Sequence, residues 1–190
     1  HYSKALDLFQ AHESSVGKLE CLARLAWLYF DTYQDSMATQ CYQEANKEMC
    51  NVRSPKSGKL ILVRALLALD AGDSTEALWH ATQAIQIDSL QAIASQRYRD
   101  WLLAKYIQVY VYGALQMEDE ALSAGKNTLC IAECYLRKDD PITGRIHGNL
   151  AMRYFLLGLD SLEGFHGRKS IAILETAYPM GKSSLATSYS

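Results

Sequence analysis

The sequence predicts an all-α fold built from antiparallel helix hairpins, and three observations support this prediction. Apolar residues recur at steps of three and four along almost the whole chain, which is the spacing of one helix face. Only 11 glycines and three prolines interrupt its 190 residues, and no segment alternates convincingly with the period of two that marks a strand. The joints between apolar segments are short, so successive helices are expected to be antiparallel neighbours.

The apolar pattern predicts nine helices, and turn-forming residues mark the joints between them. Pro55 and Pro141 stand at helix starts, where the missing N–H of proline is not needed. Gly72 ends one helix, and Asp73 can cap the next with Glu76 at the capping-box spacing. The predicted helices cover residues 2–13, 16–33, 35–50, 56–71, 74–87, 90–116, 118–138, 142–158 and 160–177.

The composition is that of a globular chain without a strong charge bias. Hydrophobic residues make up 49% of the chain, charged residues 21%, and the formal net charge is −2. This balance argues against nucleic acid as a direct partner. Arg99 and Lys105 do alternate with Trp101 and Tyr106, but the intervening acidic residue favours a solvated face beside a buried one. The best apolar run, 60–69, is about half of the ~20 residues that span a bilayer, so no membrane partner is expected.

The ends of the chain and its cysteines predict the context of the domain. The chain begins at His1 inside a helical pattern, which indicates a piece of a longer protein. Residues 1–178 are expected to form the helical domain, and the polar, aperiodic residues 179–190 a flexible tail or linker. Five cysteines, no secretion signal and no glycosylation sequon favour a reduced, cytoplasmic compartment. Cys130 and Cys134 lie four residues apart, and we expect them to be buried small hydrophobes.

No residue pattern predicts catalysis, a metal or a cofactor. Gly181-Lys182-Ser183 resembles the end of a phosphate-binding loop, but Thr176 stands where that loop needs its first glycine. The acidic runs 118–120 and 139–140 fall at helix starts, where the helix dipole accounts for them. The histidines form no HExxH motif and no close pair, and they stand at positions 1, 12, 80, 147 and 166. We therefore predict that the protein is not an enzyme.

Residues 65–88 resemble a tetratricopeptide repeat (TPR). The resemblance rests on the small residues Ala65, Ala77, Ala81 and Ala84, on the Gly-Asp turn between them and on the Ile-Asp ending. Weaker copies occur around Ala38, Ala121 and Leu150, and a half copy around Ala5. The equivalent alanines at 5, 38, 77 and 121 are 33, 39 and 44 residues apart, and the first interval fits the 34-residue repeat. A non-repeating helical bundle remains the alternative.

The resemblance implies a right-handed superhelix of about four and a half hairpins, an α-solenoid, that binds a protein or peptide in a concave groove. The first helix of each hairpin would line that groove. Carrying the family's groove positions onto this chain gives Arg24, Trp27, Asp31, Lys59, Val63, Leu66, Asp70, Tyr106, Tyr110, Arg145, Asn149 and Met152. The family's polar clamp for a peptide carboxyl terminus is not reproduced, since Val63 and Leu66 replace polar residues.

Two further functions compete with peptide binding. The chain can be the sensor or effector domain of a bacterial transcription regulator or signalling protein, because its repeats are irregular and its first hairpin is incomplete. Alternatively, the array can self-associate, because a solenoid without a polar end cap exposes an apolar end face. The incomplete N-terminal hairpin is the expected interface in that case.

Overall fold

The computed structural model describes residues 15–31, 35–51, 58–95 and 98–177, and all regular structure in these ranges is helical. The all-α prediction is therefore confirmed for the described part of the chain. The predicted helix 2–13 and the predicted tail 179–190 lie outside the described residues. The helices are α1 (Ser15–Asp31), α2 (Asp35–Asn51), α3 (Gly58–Asp70), α4 (Ser74–Ser95), α5 (Tyr98–Ala114), α6 (Glu118–Tyr135), α7 (Pro141–Leu156) and α8 (Asp160–Ala177).

The described residues form two compact units, one within His1–Leu90 and one within Gln91–Ser190. In the first unit, α1 packs against α2 and α3, and α2 also contacts α3. Their common core contains small and branched apolar side chains, with the half-buried ring of Tyr42 packed against it: Leu19, Leu22, Ala23, Ala45 and Leu60. Small residues at a helix crossing let the backbones approach, so this core has the composition that the repeat pattern predicts.

The turn between α3 and α4 has the predicted geometry. Gly72 has φ +81°, and its N–H donates to the Leu69 carbonyl at 3.0 Å. The Asp73 carboxylate accepts the Glu76 N–H at 2.9 Å, which confirms the predicted cap. The Glu76 side chain itself pairs with Arg64 at 3.0 Å and His80 at 3.1 Å. In a complete capping box the Glu76 carboxylate would accept the Asp73 N–H. Here it instead links α4 to α3 through Arg64.

The predicted helix break at residues 88–89 is wrong, because α4 continues to Ser95 and α5 begins at Tyr98. Asp88 is buried, and its carboxylate occupies the space that a Cβ on Gly58 would take. It therefore lies at the start of α3, where the helix dipole favours a negative charge. The Ser89 hydroxyl donates to the Gln86 carbonyl at 2.9 Å. Both polar groups are accommodated without ending the helix.

In the second unit α7 is the central helix, packing against α5, α6 and α8. It starts at Pro141 as predicted, and Asp140 caps it by accepting the Ile142 N–H at 2.9 Å. Gly144 brings α7 close to α8, since a Cβ there would lie 3.0 Å from Leu174 Cγ. The glycine-rich segment around Gly164 lies inside α8, which is continuous from Asp160 to Ala177.

The expected burial of Cys130 and Cys134 is wrong, because both side chains are exposed on α6. The buried face of α6 is formed by a different stripe, namely Ala121, Gly125, Thr128 and Ala132. Cys130 lies two residues from both Thr128 and Ala132, so the helical repeat of 3.6 residues directs it away from that face.

Candidate functional site

The predicted groove residues of the second unit form two helical faces, one on α5 and one on α7. On α5, Tyr110 is 48% exposed and Tyr106 is half-buried. On α7, Arg145 and Asn149 are half-buried and Met152 is 50% exposed. Steps of four and three residues place each set on one side of its helix. These faces thus combine exposed apolar surface with partly buried polar groups.

Arg153 joins the two helices beneath these faces. Its guanidinium lies over Gly113, where a Cβ would be only 2.7 Å from Arg153 Cζ. Gly113 is three residues after Tyr110, and Arg153 is four residues after Asn149, so the two faces adjoin each other. The Nη1 atom of Arg153 donates to both carboxylate oxygens of Glu118, at 2.8 and 3.0 Å. This ion pair ties α7 to the first turn of α6.

Asn149 contributes a buried hydrogen-bond acceptor to the α7 face. Its side-chain carbonyl oxygen is buried and has no hydrogen-bond partner within the described residues. A buried acceptor without a partner costs about 1–3 kcal/mol. A ligand donor that reached this oxygen would recover that energy, so the position is suited to recognition of an N–H group.

Four of the predicted groove positions in the first unit have described side chains: Arg24, Lys59, Val63 and Leu66. Arg24 and Lys59 are half-buried, and each has an interaction partner. The expectation that Val63 and Leu66 face the groove is wrong, because they are 0% and 2% exposed. The apolar residues of α3 occupy most of its circumference, and helices of that kind are buried. The side chains of Trp27, Asp31 and Asp70 lie outside the described residues.

A histidine pair that the sequence did not indicate lies between α7 and α8. The Nδ1 atoms of His147 and His166 are 2.8 Å apart, and both side chains are buried. Burial lowers the pKa of His147 to about 4, and the neighbouring His166 and Lys169 add to this effect. Burial also lowers the pKa of His166. Helical spacing could have placed His147 on the buried side of α7, because it is seven residues before the buried Tyr154, but this spacing indicates no partner for the ring.

The described residues hold neither a candidate metal cluster nor a candidate membrane span. No group of three or more histidine, cysteine, aspartate or glutamate side chains in ranges 15–31, 35–51, 58–95 and 98–177 could hold a metal ion. None of the described helices is both long and apolar enough to cross a membrane.

Comparisons with known proteins identify the fold. No protein-family model and no curated protein matches the chain. A crystal structure of kinesin light chain-like, nearly identical TPR-like repeats from Podosopora anserina has 16% identity and a TM-score of 0.56, covering 93% of this chain and 85% of that one. A point variant of the same repeats has 16% identity and a TM-score of 0.59, covering 94% of this chain and 85% of that one. The chain therefore has the TPR-like helical repeat fold, in the α-solenoid class.

Proposed function

We propose that the chain is a scaffold domain that binds a peptide segment of a partner protein. The TPR-like repeat fold suggests a protein-interaction scaffold in general. The more specific proposal of peptide binding rests on the buried side-chain carbonyl of Asn149, which has no hydrogen-bond partner among the described residues. It lies on a face that also presents Met152 and adjoins that of Tyr110.

The chemistry of these side chains suits an extended peptide. The Asn149 amide can accept from a peptide N–H and donate to a peptide carbonyl. The exposed ring of Tyr110 and side chain of Met152 offer apolar contact area. Arg145, which is half-buried and already has an interaction partner, adds positive charge to this face. The proposal assigns the chain no catalytic step and no cofactor.

Peptide selection followed by point variants tests this proposal. Peptides selected against the full chain from a random library would be measured by fluorescence anisotropy. We expect Asn149→Ala and Tyr110→Ala each to weaken binding about tenfold or more, which is ~1.4 kcal/mol. Leu90→Ala is the matched control, because Leu90 is an exposed apolar residue of the first unit. Peptides that bind both groove variants as tightly as the unaltered chain would show that this face is not the site.

A second candidate function, self-association, is supported by an apolar surface at the joint between α7 and α8. Phe155 is 64% exposed, and several large apolar side chains near it are also exposed: Leu156, Leu157, Leu159, Leu162 and Phe165. Apolar surface of this density marks interaction sites. A second copy is a suitable occupant because a net charge of −2 gives little repulsion between chains. The N-terminal hairpin expected as the interface lies largely outside the described residues.

Light scattering coupled to size exclusion at two concentrations tests self-association. We expect about twice the chain mass of 21.3 kDa at the higher concentration. Phe155→Ser should shift the equilibrium to the monomer, while Leu90→Ser should not. A monomer at both concentrations would eliminate this candidate. The regulatory context expected from the sequence stays a prediction.

A further inference from the structure

A cavity of about 510 Å³ lies among α6, α7, α8 and the segment that joins α6 to α7. Its lining includes the apolar side chains of Leu136, Ala172 and Ile173, together with Thr143 and Lys169. We propose that this cavity binds a small organic acid, with the carboxylate at Thr143 and Lys169 and the apolar body against the other three residues. The cavity shares no lining residue with the groove face, so the proposal is independent of peptide binding.

Thr143 supplies a buried polar group to the lining of the cavity. It is 5% exposed, and its hydroxyl oxygen is buried without a hydrogen-bond partner in the described part of the chain. Three other helical threonines, Thr82, Thr128 and Thr176, donate to the carbonyl four residues earlier. Thr143 stands in the first turn of α7, where the residue four positions earlier precedes the helix. Its hydroxyl is therefore available to donate to a ligand oxygen.

The charges around the cavity favour an anion. Its lining contains three cationic side chains, those of Arg137, Lys138 and Lys169, and the two acidic side chains Glu133 and Asp139. Arg137 and Asp139 hold each other through contacts of 3.1 and 2.8 Å, so their charges compensate locally. The two lysines then outweigh the remaining glutamate. A carboxylate that enters the cavity meets a net positive lining.

The volume and the apolar walls favour an organic acid over an inorganic anion. Cavities that hold small molecules typically enclose about 300–1,000 Å³ and are mostly apolar with a few polar groups. An inorganic anion would fill a small part of 510 Å³ and would leave Leu136, Ala172 and Ile173 without contact. An aliphatic carboxylate such as hexanoate offers both an apolar chain for these side chains and an anionic group for the polar end.

His147 also lines the cavity, and its ring couples binding of the organic acid to the uptake of a proton. In the neutral pair, one Nδ1 donates to the other, so one ring has its Nε2 unprotonated. The charged groups that face the pair are Lys169 on α8 and Lys126 and Glu133 on α6. A bound carboxylate would raise the pKa of His147 from its low value, because it stabilises the imidazolium. Binding should thus take up a proton and strengthen as the pH falls from about 7.5 to 5.5.

Calorimetry and imidazole NMR on the full chain test the proposal with hexanoate as the probe. We expect 1:1 binding of hexanoate, no comparable binding of hexanol, and a shift of the His147 ring signals while those of His80 stay in place. Lys169→Gln and Thr143→Val should each weaken binding about tenfold or more, which is the size of one hydrogen bond to a charged group. Arg168→Gln is the matched control, since Arg168 is the neighbouring exposed cation on α8 and does not line the cavity.

Each outcome decides a part of the proposal. N-acetyl-leucine binding more tightly than hexanoate would support the carboxylate site and identify a peptide carboxyl terminus as its source. Equal binding of hexanol and hexanoate would overturn the anionic ligand class. A Lys169→Gln chain that binds as well as the Arg168→Gln chain would overturn the assigned head-group position. Absence of a His147 shift at about 10 mM hexanoate, where even a Kd of ~1 mM gives near saturation, would overturn the site itself.

Discussion

The Nδ1 atoms of His147 and His166 lie 2.8 Å apart in the buried contact between α7 and α8. Such a pair is a hydrogen bond only when one ring donates and the other accepts, so at least one ring is neutral. Tyr154 stacks on His166 with a centroid distance of 5.3 Å and so covers one face of that ring. The pair therefore joins two helices through a bond that depends on protonation.

Acid should destabilise the protein through this pair. The pKa of His147 falls from 6.5 to about 4 on folding, mainly through burial, so the unfolded chain binds more protons between these values. The stability that the buried, neutral His147 ring contributes is fully present above pH ~6.5 and is lost as the pH falls towards 4. We expect the free energy of unfolding to decrease by about 2 kcal/mol between pH ~7.5 and ~5, measured by urea denaturation.

His147→Gln is the control for this prediction, because glutamine can bond to His166 but does not titrate in this range. Its stability should depend less on pH than that of the unaltered chain. An equal decrease in both chains between these pH values would show that other groups cause the acid sensitivity.

The turn at Gly72 should not tolerate a side chain. Its φ of +81° is strained for any residue with a Cβ. Gly72→Ala should lower the free energy of unfolding by about 1 kcal/mol. In contrast, Gly164→Ala on α8 should be neutral or stabilising, because alanine has the higher helix propensity and its Cβ would meet only the mobile Arg168 guanidinium at 3.3 Å. Equal effects of the two substitutions in thermal unfolding would contradict this reasoning.

Local chemistry was predictable from the sequence, and contacts between distant residues were not. The Gly72 turn, the Asp73 cap and the helix start at Pro141 each depend on a few neighbouring residues, and the structure confirms all three. The pairs His147–His166 and Arg153–Glu118 join residues 19 and 35 positions apart. Neither pair follows from helical periodicity, since it requires the relative position of two packed helices.

The same distinction explains the errors at the candidate site. Val63 and Leu66 occupy groove positions in the family pattern, but the apolar surroundings of α3 place them in the core. Asp88 resembles the end of a helix in sequence, but it fits beside Gly58 and α4 continues. In each case the packing around the residue determines where its side chain lies. The sequence indicates burial only as an average tendency of each residue type.

The Arg153–Glu118 pair should contribute more to stability than an exposed pair. The Arg153 side chain is 12% exposed, so Glu118→Gln would leave a mostly buried cation without its anion. We expect a loss of about 2 kcal/mol in urea denaturation. Arg137→Gln breaks a pair whose arginine is 85% exposed, and it should change stability by less than about 0.5 kcal/mol. A Glu118→Gln effect as small as that of Arg137→Gln would mean that water screens the Arg153 pair.

The contact of α6 with α7 depends on position 125 being a glycine, which has no Cβ. A Cβ there would lie 2.8 Å from Leu150 Cδ2 and 3.5 Å from Val109 Cγ1, and Leu150 is fully buried. Gly125→Ala should therefore destabilise the chain by about 1–3 kcal/mol through overpacking. Leu150→Ala alone should cost about 2–5 kcal/mol through the cavity that it leaves. The double variant should lose clearly less than the two single losses together, because the new methyl group enters that cavity. Strict additivity in a double-mutant cycle would show that these two residues do not share the contact.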